Sequence, residues 1–420
     1  MTTDALEREV VAAANEPRPE PPFDRAVSRL RGLNPALGSY ATDAVDVILE
    51  FANAVGTSDV HIQPTRDGLE VRYRHDGVLH LLGTFSPGVG SSVIARLKVL
   101  SGLLTYQSDI PQEGRVESPR HGREIRVSTF PTLHGERGVL RFFGHARQFT
   151  LLEELGNTAD VTAKLREVLD ETSGALLICG PAGSGKSTTL YACLRHLVTD
   201  HDGARSIVSI EDPIEVPVDG VAQSQVDLSA GFDLKTGLRS LMRQDPEVIM
   251  VGEIRDRETA EFAIQASLTG QLLMATFHAD SAASAITRLI EMGIEPFLVR
   301  SGVIAVVCQR LLRQLCRCAR ETTDPAEFRG LPVERASLPV GCPRCHATGY
   351  AGRMIISEFL DVRQSELGPP ILRKADNREL HDLGVALGMK SLKQQAVDLV
   401  RSGRTSPAEM ARVLGTAFRA

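Results

Sequence analysis

The fold class this 420-residue sequence predicts is α/β, with a mostly parallel sheet behind a smaller α/β module. Three observations point there. Short apolar runs alternate with helix-spaced ones through the central region, as strands covered by helices do. At one junction stands Gly180-Pro181-Ala182-Gly183-Ser184-Gly185-Lys186-Ser187, which fits the phosphate-cradling loop pattern between a strand and a helix. Upstream, one helical period is followed by two-residue alternation punctuated by Asp-Gly pairs, which reads as a small α/β unit.

Taken in order, residues 1–40 place Pro17, Pro19, Pro21 and Pro22 among charges and read as a flexible tail. Residues 41–144 form the small module. Ala44, Val47, Ile48, Phe51, Ala52 and Val55 recur at helical spacing, and alternation follows at 60–62 and 69–73. Asp67-Gly68 and Asp76-Gly77 are placed as hairpin turns, with a helix at 91–100 and strands near Val116, 123–130 and 138–143. Residues 145–157 read as a linker. The core, 158–310, opens with a helix at 160–170, a buried strand at 175–179 and a helix carrying Leu190, Leu194 and Leu197. Elements at 206–210, 234–242, 248–251, 257–268, 272–277 and 282–292 continue the alternation. A cysteine-bearing segment, 311–358, interrupts it. Residues 359–420 read as helical, the last helix starting at Ser406-Pro407-Ala408-Glu409, a capping box with Pro at the first helical position.

A formal charge of −6 with 24% charged residues argues against a generally basic nucleic-acid surface. No apolar stretch reaches the ~18 residues that cross a bilayer, and the first residues lack the basic and apolar parts of a signal peptide, so the cytoplasm is expected. Of seven cysteines, Cys179, Cys193 and Cys308 lie in apolar surroundings and read as core. Cys316-Arg317-Cys318 and Cys342-Pro343-Arg344-Cys345, 23 residues apart, read as four thiolate ligands of a structural zinc. The first pair is one residue tighter than the usual spacing, and reduced structural cysteines are the alternative.

The loop glycines let backbone N–H groups turn inward on phosphates, while the following helix directs its positive end at the same charge. Lys186 would reach the β and γ phosphates, Ser187 would hold Mg²⁺, and Thr188 continues the phosphate-binding run. Hydrolysis needs carboxylates as well. Glu253, ending the apolar run from Val248, would steady metal and water. Glu211 would polarise the attacking water, with Asp212 or Glu215 in support. His278, after the run 272–277, would sense the γ phosphate. Arg255 would pair with a neighbouring carboxylate or a phosphate. Arg310, Arg313, Arg317 and Arg320 form a local basic cluster, read as a solvated or subunit-facing surface.

These pieces in this order resemble the cytoplasmic ATPases that power type II secretion and type IV pilus assembly. Glu211-Asp212-Pro213-Ile214-Glu215 is similar to that family's aspartate box. The stretch from Arg243 to Asp256 resembles its extended Walker B element, Thr269 to His278 its histidine box, and the four cysteines with Gly349-Tyr350-Ala351-Gly352-Arg353 its metal segment. Ser58 to Pro64 and Val71 to Gly77 resemble its N-terminal module. The resemblance implies a RecA-like core with a PAS-like N-terminal domain, ATP, Mg²⁺ and Zn²⁺ as cofactors, and a homo-hexamer with ATP between module and core. It also implies Arg126, Arg137 and Arg141 as groups reaching the γ phosphate. The partners it implies are inner-membrane platform proteins at the cytoplasmic face, with peripheral membrane association through them and no nucleic acid. The implied activity is ATP hydrolysis that drives pseudopilus or pilus assembly. A retraction motor, which generally lacks the cysteines, and a regulatory scaffold with little turnover are the rivals. Three departures stand out: Gln271 replaces the first histidine of its box, the basic pair before Pro111 is missing, and the N-terminal region is short.

Overall fold

A computed structural model describes residues 21–116, 124–143, 151–200 and 204–415. The chain divides after His145 into two compact units.

The first unit lays helices against a six-stranded antiparallel sheet. Its strands are β1 (Asp59–Thr65), β2 (Gly68–His75), β3 (Val78–Phe85), β4 (Gln112–Val116), β5 (Ile125–Thr132) and β6 (Gly135–Phe142), in the order β3-β2-β1-β6-β5-β4. Alternation decides the faces: Val60, Ile62, Val71, Tyr73, Ile125, Val127 and Leu140 are buried against helices α2 (Tyr40–Val55) and α3 (Gly90–Leu100). The β2–β3 turn is Asp76-Gly77, as expected, both residues having positive φ (47° and 78°). The β1–β2 turn is instead Arg66-Asp67, because Gly68 already pairs with Thr65.

Residues 22–32, expected as part of a flexible tail, are helical instead. Helix α1 (Pro22–Gly32) starts on a proline, whose fixed φ suits a first turn. It buries Ala26 and Leu30, and Phe23 meets the rings of Phe51 and Tyr73 at 6.5 and 6.4 Å. Prolines among charges therefore mark a helix entry here. Residues 1–20 lie outside the described residues.

The second unit carries a seven-stranded sheet. Strands β7 (Gly174–Cys179), β8 (Ile207–Glu211), β9 (Ala222–Gln225), β10 (Val248–Ile254), β11 (Leu272–Phe277), β12 (Val303–Leu315) and β15 (Tyr350–Asp361) lie in the order β15-β12-β7-β11-β10-β8-β9. Every pairing is parallel except β12–β15. Helices α4 (Ala159–Leu169), α5 (Lys186–Asp200), α6 (Leu234–Leu241), α7 (Arg257–Leu268), α8 (Ala282–Glu291) and α9 (Pro296–Gly302) connect and cover the strands. Two apolar clusters result, one per sheet face: Leu176, Ile178, Leu190, Leu194 and Met274 in one, Leu177, Ile210, Val251, Ala275 and Ile286 in the other. Leu152, in the stretch expected as a linker, is buried in the first of these.

The cysteine segment does not stand apart from the core as expected. It is an insertion at the tip of the β12–β15 hairpin, with a two-stranded ribbon, β13 (Arg320–Thr322) and β14 (Ala336–Leu338), inside it. The core sheet thus extends past residue 310 on both sides of the insertion. Beyond β15 come α10 (Gly368–Leu372), α11 (Asn377–Ala386), α12 (Leu392–Arg401) and α13 (Pro407–Leu414), the expected helical end. Ser406 caps α13 by accepting from Glu409 N at 3.1 Å. The other half of the capping box is replaced, because the Glu409 carboxylate receives Arg313 and Arg412.

Candidate functional site

The parallel strands deliver their carboxyl ends to one edge, where open α/β sheets gather ligands. At this edge stand the loop after β7, Glu211 ending β8, Glu253 near the end of β10 and His278 just past β11.

The loop is built for close backbone approach. Gly180, Gly183 and Gly185 have φ of 145°, 74° and 90°, a region that disfavours side chains. A Cβ on Gly180 would lie 2.5 Å from both the Gln309 carbonyl and Ser184 Oγ. Lys186, the first residue of α5, donates to the carbonyls of Gly180 (2.9 Å) and Pro181 (3.1 Å). Burial pushes its pKa down, while the Glu253 carboxylate opposes that shift. Ala182 is exposed at the loop crest and Thr188 is half-buried in the first turn of α5. Ser187 Oγ lies 3.4 Å from Glu215 Oε1, bringing together two oxygen ligands of the hard kind that Mg²⁺ takes.

Glu253 and His278 meet. His278 Nε2 is 2.6 Å from Glu253 Oε1, and Arg255 Nε donates to Glu253 Oε2 at 2.6 Å, so Arg255 takes the carboxylate. Gln271, at the opposite end of β11, is bonded to Thr269 Oγ1 at 2.7 Å. Seven residue steps along the six-residue strand place it about 23 Å from His278, so its departure from the family pattern does not touch this edge.

Glu211 corrects the expected assignment. It is 3% exposed. Its Oε1 accepts from Ser209 Oγ (2.7 Å) and Gln223 Nε2 (2.9 Å), and its Oε2 accepts from Tyr191 Oη. Three of the roughly four lone-pair sites of the carboxylate are thus filled by protein donors, which ties Glu211 into the fold. Asp212 and Glu215, the other acids of the same box, are both exposed, and Glu215 is the one beside Ser187.

Gln309 is a site residue that sequence reasoning missed. Fully buried on β12, it donates from Nε2 to the Ser184 carbonyl at 2.9 Å and accepts from Thr189 Oγ1 at 3.0 Å, clamping the loop to the helix that follows it. Next to it Arg310 donates to the Asp280 carbonyl at 2.8 Å, two residues beyond His278. Arg310 is therefore buried and not part of a solvated basic cluster. Arg313 is likewise enclosed, 3.9 Å above the Tyr350 ring and bonded to Glu409.

Arg126, Arg137 and Arg141 belong to the first unit. Arg126 faces Arg141 across β5–β6 and lies 5.4 Å from the Phe143 ring, with no carboxylate partner among the described residues. Arg137 contacts His61 Nδ1 at 2.6 Å and Arg141 donates to Asp59 Oδ1 at 2.9 Å.

The four expected cysteines do converge. The Sγ atoms of Cys316, Cys318, Cys342 and Cys345 lie within 4.8 Å of one another, and three of the edges measure 3.7–3.8 Å. Zinc–thiolate bonds of about 2.3 Å give a tetrahedron with edges of about 3.8 Å, so the donor set fits zinc. Backbone N–H groups of Cys342 and Gly349 donate to Cys345 Sγ, as a thiolate would require. The tight first pair is accommodated because Cys316 prolongs β12, its N–H bonding the Gly349 carbonyl at 2.9 Å.

A glycine loop between strand and helix, its lysine, and acidic strand ends along one edge define a P-loop nucleotide-binding core. Residues 39–412 match the family described as Type II/IV secretion system protein, and the chain belongs to that family. It is 39% identical over 378 residues to the type II secretion system ATPase E of Vibrio cholerae, covering 88% of this chain and 74% of that one. It is 38% identical over 384 residues to the type IV pilus assembly ATPase PilB of Thermus thermophilus, covering 89% of this chain and 43% of that one. The fold matches the solved structure of the Legionella pneumophila ATPase DotB with a TM-score of 0.62 at 22% identity, over 87% of this chain and 93% of that one.

Proposed function

We propose that the chain hydrolyses ATP to ADP and phosphate as the motor of pseudopilus or pilus assembly, for type II secretion or type IV pilus biogenesis. The observation that carries this is the gathering of Lys186, Ser187, Glu215, Glu253 and His278 along one sheet edge. Lys186 and the loop backbone hold the phosphates, and Ser187 with Glu215 supplies oxygen to Mg²⁺, which neutralises phosphate charge when bound. Glu215 orients water, Glu253 supports it, and His278 reads the γ phosphate through its contact with Glu253. Glu211 serves as a buried anchor. Arg126, Arg137 and Arg141 supply positive charge to the transferring phosphoryl group.

The working form is a homo-hexamer with Zn²⁺ on the four cysteines, held at the cytoplasmic face of the inner membrane by platform proteins. None of the described helices is long and apolar enough to cross a bilayer. The cysteine cluster favours assembly over retraction. ATP turnover measured against protein concentration, for the native chain and for Glu215→Gln, tests the reading. Turnover per chain should rise as oligomers form and fall about 100-fold or more in the variant; full turnover in Glu215→Gln would remove Glu215 from the reaction.

A further inference from the structure

The segment carrying Glu215 has no strand to hold it. Between Ile214 and Val218 there are four main-chain N–H groups, since Pro217 has none. All four are taken by side chains. Ile214 N donates to Gln225 Oε1 at 3.2 Å and Val218 N to Gln223 Oε1 at 2.7 Å. Glu215 N and Val216 N both donate to Tyr191 Oη, at 3.1 and 3.4 Å. The same hydroxyl donates its proton to Glu211 Oε2. A phenol has one donor and two acceptor positions, and here all three are used. Gln223 closes the circle by donating to Glu211 Oε1 and to the Val216 carbonyl at 2.9 and 3.1 Å.

We propose that Tyr191, braced by Glu211 and Gln223, is a positioning residue that holds Glu215 beside Ser187 and fixes it to the phosphate-loop helix. Tyr191 lies five residues after Lys186 on α5, so the same helix that presents Lys186 and Ser187 also sets the backbone of the acidic segment. A displacement of α5 moves both together. This gives the buried carboxylate of the box a purpose. Glu211 orients the hydroxyl so that its lone pairs face the Glu215 and Val216 amides, and burial together with Glu211 keeps the phenol protonated by raising its pKa. The inference rests on the reading of Glu215 given above.

Tyr191→Phe keeps the ring and deletes all three bonds. In the full chain it should speed hydrogen exchange at the Glu215 and Val216 amides, with the thermal midpoint shifted by only a few degrees. It should also lower kcat about tenfold while ATP affinity stays within about twofold. Gln223→Ala, which leaves α5 untouched, should give the same pattern. In a Glu215→Gln background, Tyr191→Phe should leave the residual turnover unchanged. Unaltered exchange and kcat in Tyr191→Phe would overturn the proposal. So would an equal drop in the Glu215→Gln background, or a parallel loss of ATP affinity and thermal midpoint, since either marks a merely structural residue. Full activity of Glu215→Gln itself would instead remove the reading of Glu215, and the proposal with it; an inactive Glu215→Gln beside a fully active Tyr191→Phe would sink the positioning role alone.

Discussion

Glu211 and Glu215 are four residues apart and face opposite environments. Glu211 is still inside β8, where all five residues are buried, whereas Pro213 ends the strand and leaves Glu215 exposed. The choice between them was readable in principle: a proline cannot donate to a sheet ladder, so an acid beyond it lies outside the strand. What the sequence does not display is the Tyr191 hydroxyl 20 residues upstream, which completes the enclosure of Glu211. Glu211→Gln should therefore behave as a folding lesion, with a lower thermal midpoint alongside lower turnover, in contrast to the turnover-only loss of Glu215→Gln. Differential scanning calorimetry beside steady-state kinetics separates the two. Lys186→Ala should abolish ATP binding by isothermal titration, because no other cation in the loop takes its place.

Strand β12 is the element that ties the second unit together. No strand was expected here, although Cys308 was read as core, because Gln309, Arg310 and Arg313 broke the apolar run and polar residues on a buried strand read as a solvated run until their partners are known. Each has one: the phosphate loop for Gln309, Asp280 for Arg310 and Glu409 for Arg313. Gln309→Ala should weaken ATP binding about fivefold to tenfold, the equivalent of one hydrogen bond to a buried carbonyl. Farther along, Glu409 is fully enclosed, and breaking a buried pair by removing one partner costs about 3–5 kcal/mol. Burial pushes the Glu409 carboxyl up, but hydrogen bonds from Arg412 and Arg313 outweigh that and hold it below the usual range. Its contribution is thus complete above the ordinary carboxyl pKa and disappears as pH falls through the lowered folded value. Glu409→Gln should lower the thermal midpoint near neutral pH and flatten its decline in acid, which melting curves at several pH values would show.

At the scale of the molecule, alternation of apolar runs was enough to predict a parallel, helix-covered sheet behind a smaller module, because burial patterning survives without knowledge of partners. Boundaries were less legible. Proline-rich composition masked α1, and the cysteine spacing drew a border through the middle of a hairpin. That spacing nevertheless located the four-cysteine cluster, since the geometry of four converging thiols is demanding enough to show in sequence. Elemental analysis should find about one zinc per chain, and chelation should lower the thermal midpoint. ATP affinity should change little, because the Gln309 clamp lies within the sheet.

The hairpin tip also sets a length. Seven residue steps along and just past β12 lead from Gln309 to Cys316, about 23 Å at the rise of an extended strand. Beyond Cys308 this stretch leaves β7 and is held by β15 alone, and an extended backbone paired along its length resists stretching, so those residues act as a lever arm with its pivot at the nucleotide edge. A tilt of about 5° there carries the thiolate cluster through about 2 Å by simple trigonometry, and an attachment gripping the tip would receive that stroke undiminished.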